Sequence, residues 1–115
     1  ADISKAWLWY QKAADAGEPN ALARFAERDD QDALAEADPA RRNVLWLQAF
    51  TRYAAAAAGA HHEDWPDETW KHWRYRRATL ARLLAHEGMM QQVGDAYGEV
   101  VAKRDLPHGG GNGGW

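Results

Sequence analysis

The sequence predicts an all-α fold, and three observations support this prediction. Alanine, the strongest helix former, occurs 24 times, whereas the β-branched apolar residues are only four valines and one isoleucine. Apolar residues recur at steps of three and four, which is the spacing of one helix face. Gly17, Gly59 and Gly88 follow three of these periodic segments, where a glycine commonly ends a helix. The chain is therefore expected to consist of helices separated by short turns.

Local start and stop signals set the expected helix boundaries. Asp38 followed by Pro39 is a start signal, because an N-cap carboxylate precedes a first-turn proline. The acidic stretch of residues 27–38 is expected to hold only a short helical turn. The predicted helices are residues 3–17, 20–28, 39–58, 67–87 and 89–103.

Length and composition restrict the organisation of the chain and the class of its partners. We expect one domain, residues 1–106, followed by a flexible glycine-rich tail, residues 107–115. The absence of cysteine excludes disulfides and thiolate chemistry. A net charge of -3 argues against a globally basic nucleic-acid binder, and the apolar runs are too short to predict a membrane span.

No group of residues in the sequence predicts catalysis or a bound cofactor. The run of His61, His62, Glu63 and Asp64 is not a metal motif, because neighbouring loop side chains seldom converge on one ion. The single serine, Ser4, has no nucleophile motif around it. We therefore expect a protein that is not an enzyme and that carries neither a metal nor a cofactor.

The fourth predicted helix interleaves arginines with aromatic residues. Its predicted basic-aromatic surface consists of Trp70, Trp73, Arg74 and Arg77. Such a combination suits an acidic protein partner, or an RNA whose bases stack while its phosphates pair. The alternative is that the tryptophans lie in the core while the arginines face solvent and pair with the acidic stretch. The sequence does not decide between a binding surface and a helix whose tryptophans are buried.

Three segments carry the spacing of a known helical repeat. Residues 9–21 contain, in order, Trp9, Tyr10, Ala13, Ala14 and Gly17. This pattern resembles the signature of the Sel-one-like repeat family, and residues 52–60 resemble a second, degenerate copy of it. The segment from Leu80 to Val100 resembles a tetratricopeptide unit, whose architecture is the same. The resemblance implies a right-handed stack of antiparallel helical hairpins, with about two and a half repeats in residues 1–106.

The resemblance also implies a ligand groove on the concave side of the stack, lined by fixed positions of each first helix. Carried onto this sequence, those positions are Asn20, Ala23, Glu27, Asp30, Tyr75, Ala78, Arg82 and Ala85. The groove would have one acidic end and one basic end, which suits a charged, extended peptide or a helix terminus of a partner.

The expected function is thus protein recognition by a bacterial scaffold or adaptor, in the cytoplasm or the periplasm. One specific alternative is an immunity protein that neutralises a cognate secreted toxin. Another is an RNA- or nucleotide-binding module that uses the helix from Trp70 to Arg82. We also expect that further repeats precede the chain, or that it self-associates, through an exposed Trp7 or Trp9.

Overall fold

The computed structural model describes residues 3–59 and 67–105, which form five α-helices and no strand. The helices are α1 (Ile3–Asp15), α2 (Pro19–Ala35), α3 (Pro39–Gly59), α4 (Asp67–His86) and α5 (Met90–Asp105). The predicted all-α class is therefore confirmed. The predicted histidine-containing loop and the predicted glycine-rich tail lie outside the described residues.

Two of the glycines that the sequence predicts to end helices do so in the left-handed conformation. Gly17 follows α1 with φ of +85°, and the N–H of Glu18 donates to the carbonyl oxygen of Ala13 at 2.9 Å. Gly88 follows α4 with φ of +76° and the same pattern of backbone hydrogen bonds. These bonds satisfy carbonyl groups that the end of a helix would otherwise leave without partners.

Side chains cap the first turns of α2 and α3. The carboxylate of Glu18 accepts hydrogen bonds from the N–H groups of Asn20 and Ala21, at 3.2 and 2.8 Å. The carboxylate of Asp38 accepts from the N–H of Arg41 at 3.0 Å, which confirms the start signal that precedes α3. Each cap pairs N–H groups that have no partner within the first turn of its helix.

The second helix is longer than the sequence predicts. It continues through most of the acidic stretch instead of ending near residue 28. Asp29 is buried and forms an ion pair with Arg52 of α3, and Asp30 forms one with Arg76 of α4. Arginines from two other helices thus neutralise two of the acidic charges that make this stretch look unfavourable in isolation.

The third helix lies at the centre of the fold. It packs against α2, α4 and α5, whereas α1 packs against α2. Pro19 at the start of α2 lies against Gly59 at the end of α3, so these two helices run antiparallel. Arg42 near the start of α3 pairs with Glu87, just after α4, at 2.8 Å, so α3 and α4 are antiparallel as well.

The core lies between α2, α3, α4 and α5. Leu80, Leu84 and Tyr53 are its largest fully buried side chains. The other members of the buried cluster are Ala23, Ala26, Ala49, Phe50, Ala56, Trp70, Trp73 and Val93. None of the helices in the described ranges is long and apolar enough to cross a membrane.

Two glycine-to-alanine substitutions are expected to change stability in opposite directions. Gly88→Ala should lower the free energy of unfolding by about 1 kcal/mol, because an L-residue is strained at its positive φ. Gly94→Ala should raise it by about 0.5–1 kcal/mol, because alanine favours the helix and its Cβ would meet no atom within 4 Å. Urea unfolding followed by circular dichroism measures both. Equal effects of the two substitutions would contradict the assigned backbone conformations.

Candidate partner-binding groove

A cavity of about 370 Å³ opens between α2 and α4, and it contains part of the predicted groove. We call it the α2–α4 groove. Its lining residues are Glu27, Asp30, Gln31 and Leu34 of α2, Tyr53 of α3, and His72 and Arg76 of α4. The structure therefore brings the predicted Glu27 and Asp30 together with charged and polar groups of α4.

The remaining predicted groove positions do not line this cavity. Ala23 is buried in the core, so the prediction that it lines an open groove is wrong. The face of α2 that carries it packs inward, and its small side chain fits there. The other positions are Asn20, Tyr75, Ala78 and Arg82, which are exposed, and Ala85, which is half-buried. On α4 the groove uses His72 and Arg76 instead of those positions.

An ion pair between Asp30 and Arg76 joins the two walls of the groove. Arg76 donates from Nε to one carboxylate oxygen of Asp30 at 2.9 Å and from a terminal nitrogen to the other at 2.8 Å. The two side chains are only 14% and 27% exposed. A two-pronged contact with little solvent access is stronger than a surface ion pair. It fixes the spacing of α2 and α4 and neutralises the charge of Asp30.

The phenol of Tyr53 forms the floor of the groove. Burial raises the pKa of Tyr53, and the nearby carboxylates of Asp30 and Glu27 raise it further, while Arg76 opposes them. The hydroxyl group therefore stays protonated under all ordinary conditions. It serves as a neutral hydrogen-bonding group at the bottom of a charged cavity.

The rim of the groove offers an apolar side chain and a carboxylate. Leu34 is 83% exposed, the largest exposure among the large apolar side chains of the described residues. The carboxylate of Glu27 lies 3.9 Å from the guanidinium of Arg24 in a solvent-exposed contact that holds it only weakly. Both groups are therefore available to an incoming ligand.

Behind the groove, Asp29 is the buried carboxylate of the described residues. It forms its ion pair with Arg52, whose guanidinium also lies over the ring of Phe25. Burial raises the pKa of Asp29, and the charge of Arg52 works against that rise. This pair faces α3 and contributes to the packing of α2, not to the groove. Within the described ranges, no group of three or more histidine, aspartate or glutamate side chains could hold a metal ion.

The predicted basic-aromatic surface is only half formed. Trp70 and Trp73 are 8% and 3% exposed and belong to the core, so the prediction that they lie on a surface is wrong. Their indole rings fill the space between α4 and the central helix, which is the alternative that the sequence left open. Arg74 is exposed and lies over the ring of Trp70, and half-buried Arg77 lies over that of Tyr97.

The tryptophans of α1 differ in their exposure. Trp7 is half-buried and packs against Phe25 of α2, with a ring-centroid distance of 5.1 Å. Trp9 and its neighbour Leu8 are exposed. The exposed tryptophan that the sequence predicts in this helix is thus Trp9.

Sequence reasoning missed five residues of the groove: Gln31, Leu34, Tyr53, His72 and Arg76. A signal for two of them exists, because Glu27, Gln31 and Leu34 have the i, i+4, i+7 spacing of one helix side. For Arg76 the sequence shows an acidic and a basic segment but not which charges meet. That choice depends on how the two helices are rotated against each other.

No protein-family model, curated protein or solved structure matches the chain. The resemblance to the Sel-one-like family consequently stays a prediction.

Proposed function

We propose that this chain is a non-catalytic protein-recognition module whose α2–α4 groove binds a segment of a partner protein. The observation that carries the proposal is the exposed Leu34 on the rim of a cavity with a polar floor. Protein ligands are commonly held by an apolar contact that supplies affinity and a few polar groups that fix orientation. The groove offers both within one cavity.

The charges of the groove indicate what kind of segment it accepts. Asp30 and Arg76 neutralise each other, which leaves Glu27, held only by a weak, solvent-exposed contact with Arg24, as the carboxylate that a ligand can reach. A partner segment with an apolar side chain beside a lysine or arginine would contact Leu34 and Glu27 together.

The proposal includes the architecture implied by the repeat resemblance. In this architecture α2 and α3 form one hairpin, and α4 and α5 form the next. Helix α1 is then the second helix of a preceding repeat. The contacts of α3 with both α2 and α5 support the stacking of the two hairpins, since stacked hairpins share a core through their second helices. The packing of α1 against α2 places it next to the first of them. The groove would then lie on the side of the first helices, α2 and α4.

The other predicted functions differ in how much support they keep. Burial of Trp70 and Trp73 removes two of the three aromatic rings that an RNA-binding surface on α4 would use for stacking, and leaves the exposed Tyr75. Neutralisation of a toxin is a special case of partner binding, and it stays a prediction.

Affinity capture with matched variants tests the proposed groove. The groove variant is Glu27→Arg with Leu34→Asp, which reverses the free charge and removes the apolar contact. We expect the partner captured by the wild type to be recovered at least about tenfold less well, as for the loss of an interface anchor. Quantitative mass spectrometry of the captured proteins is the measurement.

The matched control is Asp95→Arg with Met90→Asp, the same kinds of change at exposed positions of α5. It should capture the partner as well as the wild type does. Circular dichroism first shows whether both variants fold. Equal recovery by the wild type and both variants would contradict the assignment of the partner site to the α2–α4 groove.

A further inference from the structure

A second cavity, of about 280 Å³, lies where α3, α4 and α5 meet. It shares no lining residue with the α2–α4 groove. Arg74 and Arg77 of α4 and Tyr97 of α5 contribute its polar groups, and no carboxylate lines it. The cavity thus combines two positive charges with no neutralising group in its own wall.

Aromatic rings hold the two arginines in place. The guanidinium carbon of Arg74 lies 5.3 Å from the ring centroid of Trp70, and that of Arg77 lies 5.5 Å from the ring centroid of Tyr97. Stacking on a ring face restrains a guanidinium while its N–H groups remain free at the edge. The arginines are therefore oriented before any ligand arrives, which reduces the entropy lost on binding.

Neither arginine has a carboxylate partner among residues 3–59 and 67–105. Arg42, Arg52 and Arg76, in contrast, each pair with an acidic side chain. Arg74 and Arg77 thus share one cavity and have no carboxylate partner in the described part of the chain, so their positive charges are available to an external anion.

The walls of the cavity indicate the size and character of that anion. Ala54, Ala57 and Ala58 of α3 have side chains short enough to let a ligand approach the arginines, and Val100 and Val101 add apolar contact. Guanidinium forks match the oxygens of a phosphate group. The volume lies just below the usual range for small-molecule sites, so the ligand is small.

We propose that Arg74 and Arg77 bind the phosphate group of a small phosphomonoester in this cavity, with its organic part against Tyr97 and Val100. A long polyanion would also reach the exposed Arg82, which lies on α4 outside the cavity, whereas a small phosphomonoester contacts Arg74 and Arg77 alone. Free inorganic phosphate carries the same anionic group but lacks the apolar contact.

Titration of the full chain with phenyl phosphate and with inorganic phosphate, followed by amide NMR shifts, tests the proposal. We expect saturable shifts in α4 and α5 around the cavity, and tighter binding of phenyl phosphate than of inorganic phosphate. Arg74→Gln with Arg77→Gln should weaken phenyl phosphate binding by at least about tenfold. Arg82→Gln removes an exposed arginine of the same helix outside the cavity and should leave binding unchanged.

Three results would overturn the proposal. The first is equal binding by the wild type and the double variant. The second is that sodium chloride, added to the same ionic strength, produces the same amide shifts as phenyl phosphate. The third is tighter binding of a single-stranded RNA oligonucleotide, with shifts that extend along α4 beyond the cavity. If the double variant does not fold, each single variant should still weaken binding, and unchanged binding by both would also overturn it.

Discussion

Replacing Leu80 with alanine is expected to lower the free energy of unfolding by about 2–5 kcal/mol. Leu80 is 0% exposed and belongs to the buried cluster that joins α4 to the central helix. The substitution removes apolar contacts and leaves a cavity that rigid neighbours such as Trp73 and Tyr53 cannot fill completely. Urea unfolding of the two proteins measures the difference.

Leu34→Ala is the matched control, because it makes the same chemical change at an exposed site. It should change the free energy of unfolding by less than about 0.5 kcal/mol. A loss below about 0.5 kcal/mol for both substitutions would show that α4 is not packed as the structure describes. A large loss for Leu34→Ala alone would mean that this leucine is buried and unavailable as the rim of a groove.

Arg76→Ala is expected to lower the free energy of unfolding by about 2–3 kcal/mol. The substitution leaves the carboxylate of Asp30, which is 14% exposed, without its two-pronged partner. It also removes the positive charge that partly offsets the carboxylates around Tyr53. The loss exceeds that of a surface ion pair because little solvent is available to replace the lost contact.

Arg82→Ala is the control for this prediction, since Arg82 is exposed and no partner for it is found in the described part of the chain. It should change stability by less than about 0.5 kcal/mol. A double-mutant cycle with Asp30→Asn isolates the interaction of the pair, and we expect a coupling energy of about 1–3 kcal/mol. A coupling energy near zero would contradict the bridge between α2 and α4.

The sequence predicts the local features of the fold well because they depend on few residues. The left-handed glycines Gly17 and Gly88 and the cap of Asp38 are determined within single turns. The length of α2 is different. Its acidic part is stable as a helix because Arg52 and Arg76, which are distant in sequence, reach Asp29 and Asp30. Helix propensity contains no information about such partners.

The candidate site is less predictable than the fold for a related physical reason. A sequence identifies arginines and tryptophans on α4, but the rotation of the helix decides which ones reach solvent. Packing against α3 takes Trp70 and Trp73 into the core and turns Arg76 toward α2. Of the positions counted from the repeat, Glu27 and Asp30 line the α2–α4 groove whereas Ala23 is buried, because the count includes neither the rotation nor the tilt of each helix.

Site-specific photocrosslinking tests the proposed groove most directly. A photoreactive amino acid replaces Leu34 in one variant and Met90, an exposed apolar residue of α5, in the other. After irradiation in the source cells, the account predicts one dominant crosslinked protein for the variant at Leu34 and little or none of it for the variant at Met90. Equal crosslinking of the same protein from both positions, or crosslinking from Met90 alone, would contradict partner binding in the α2–α4 groove.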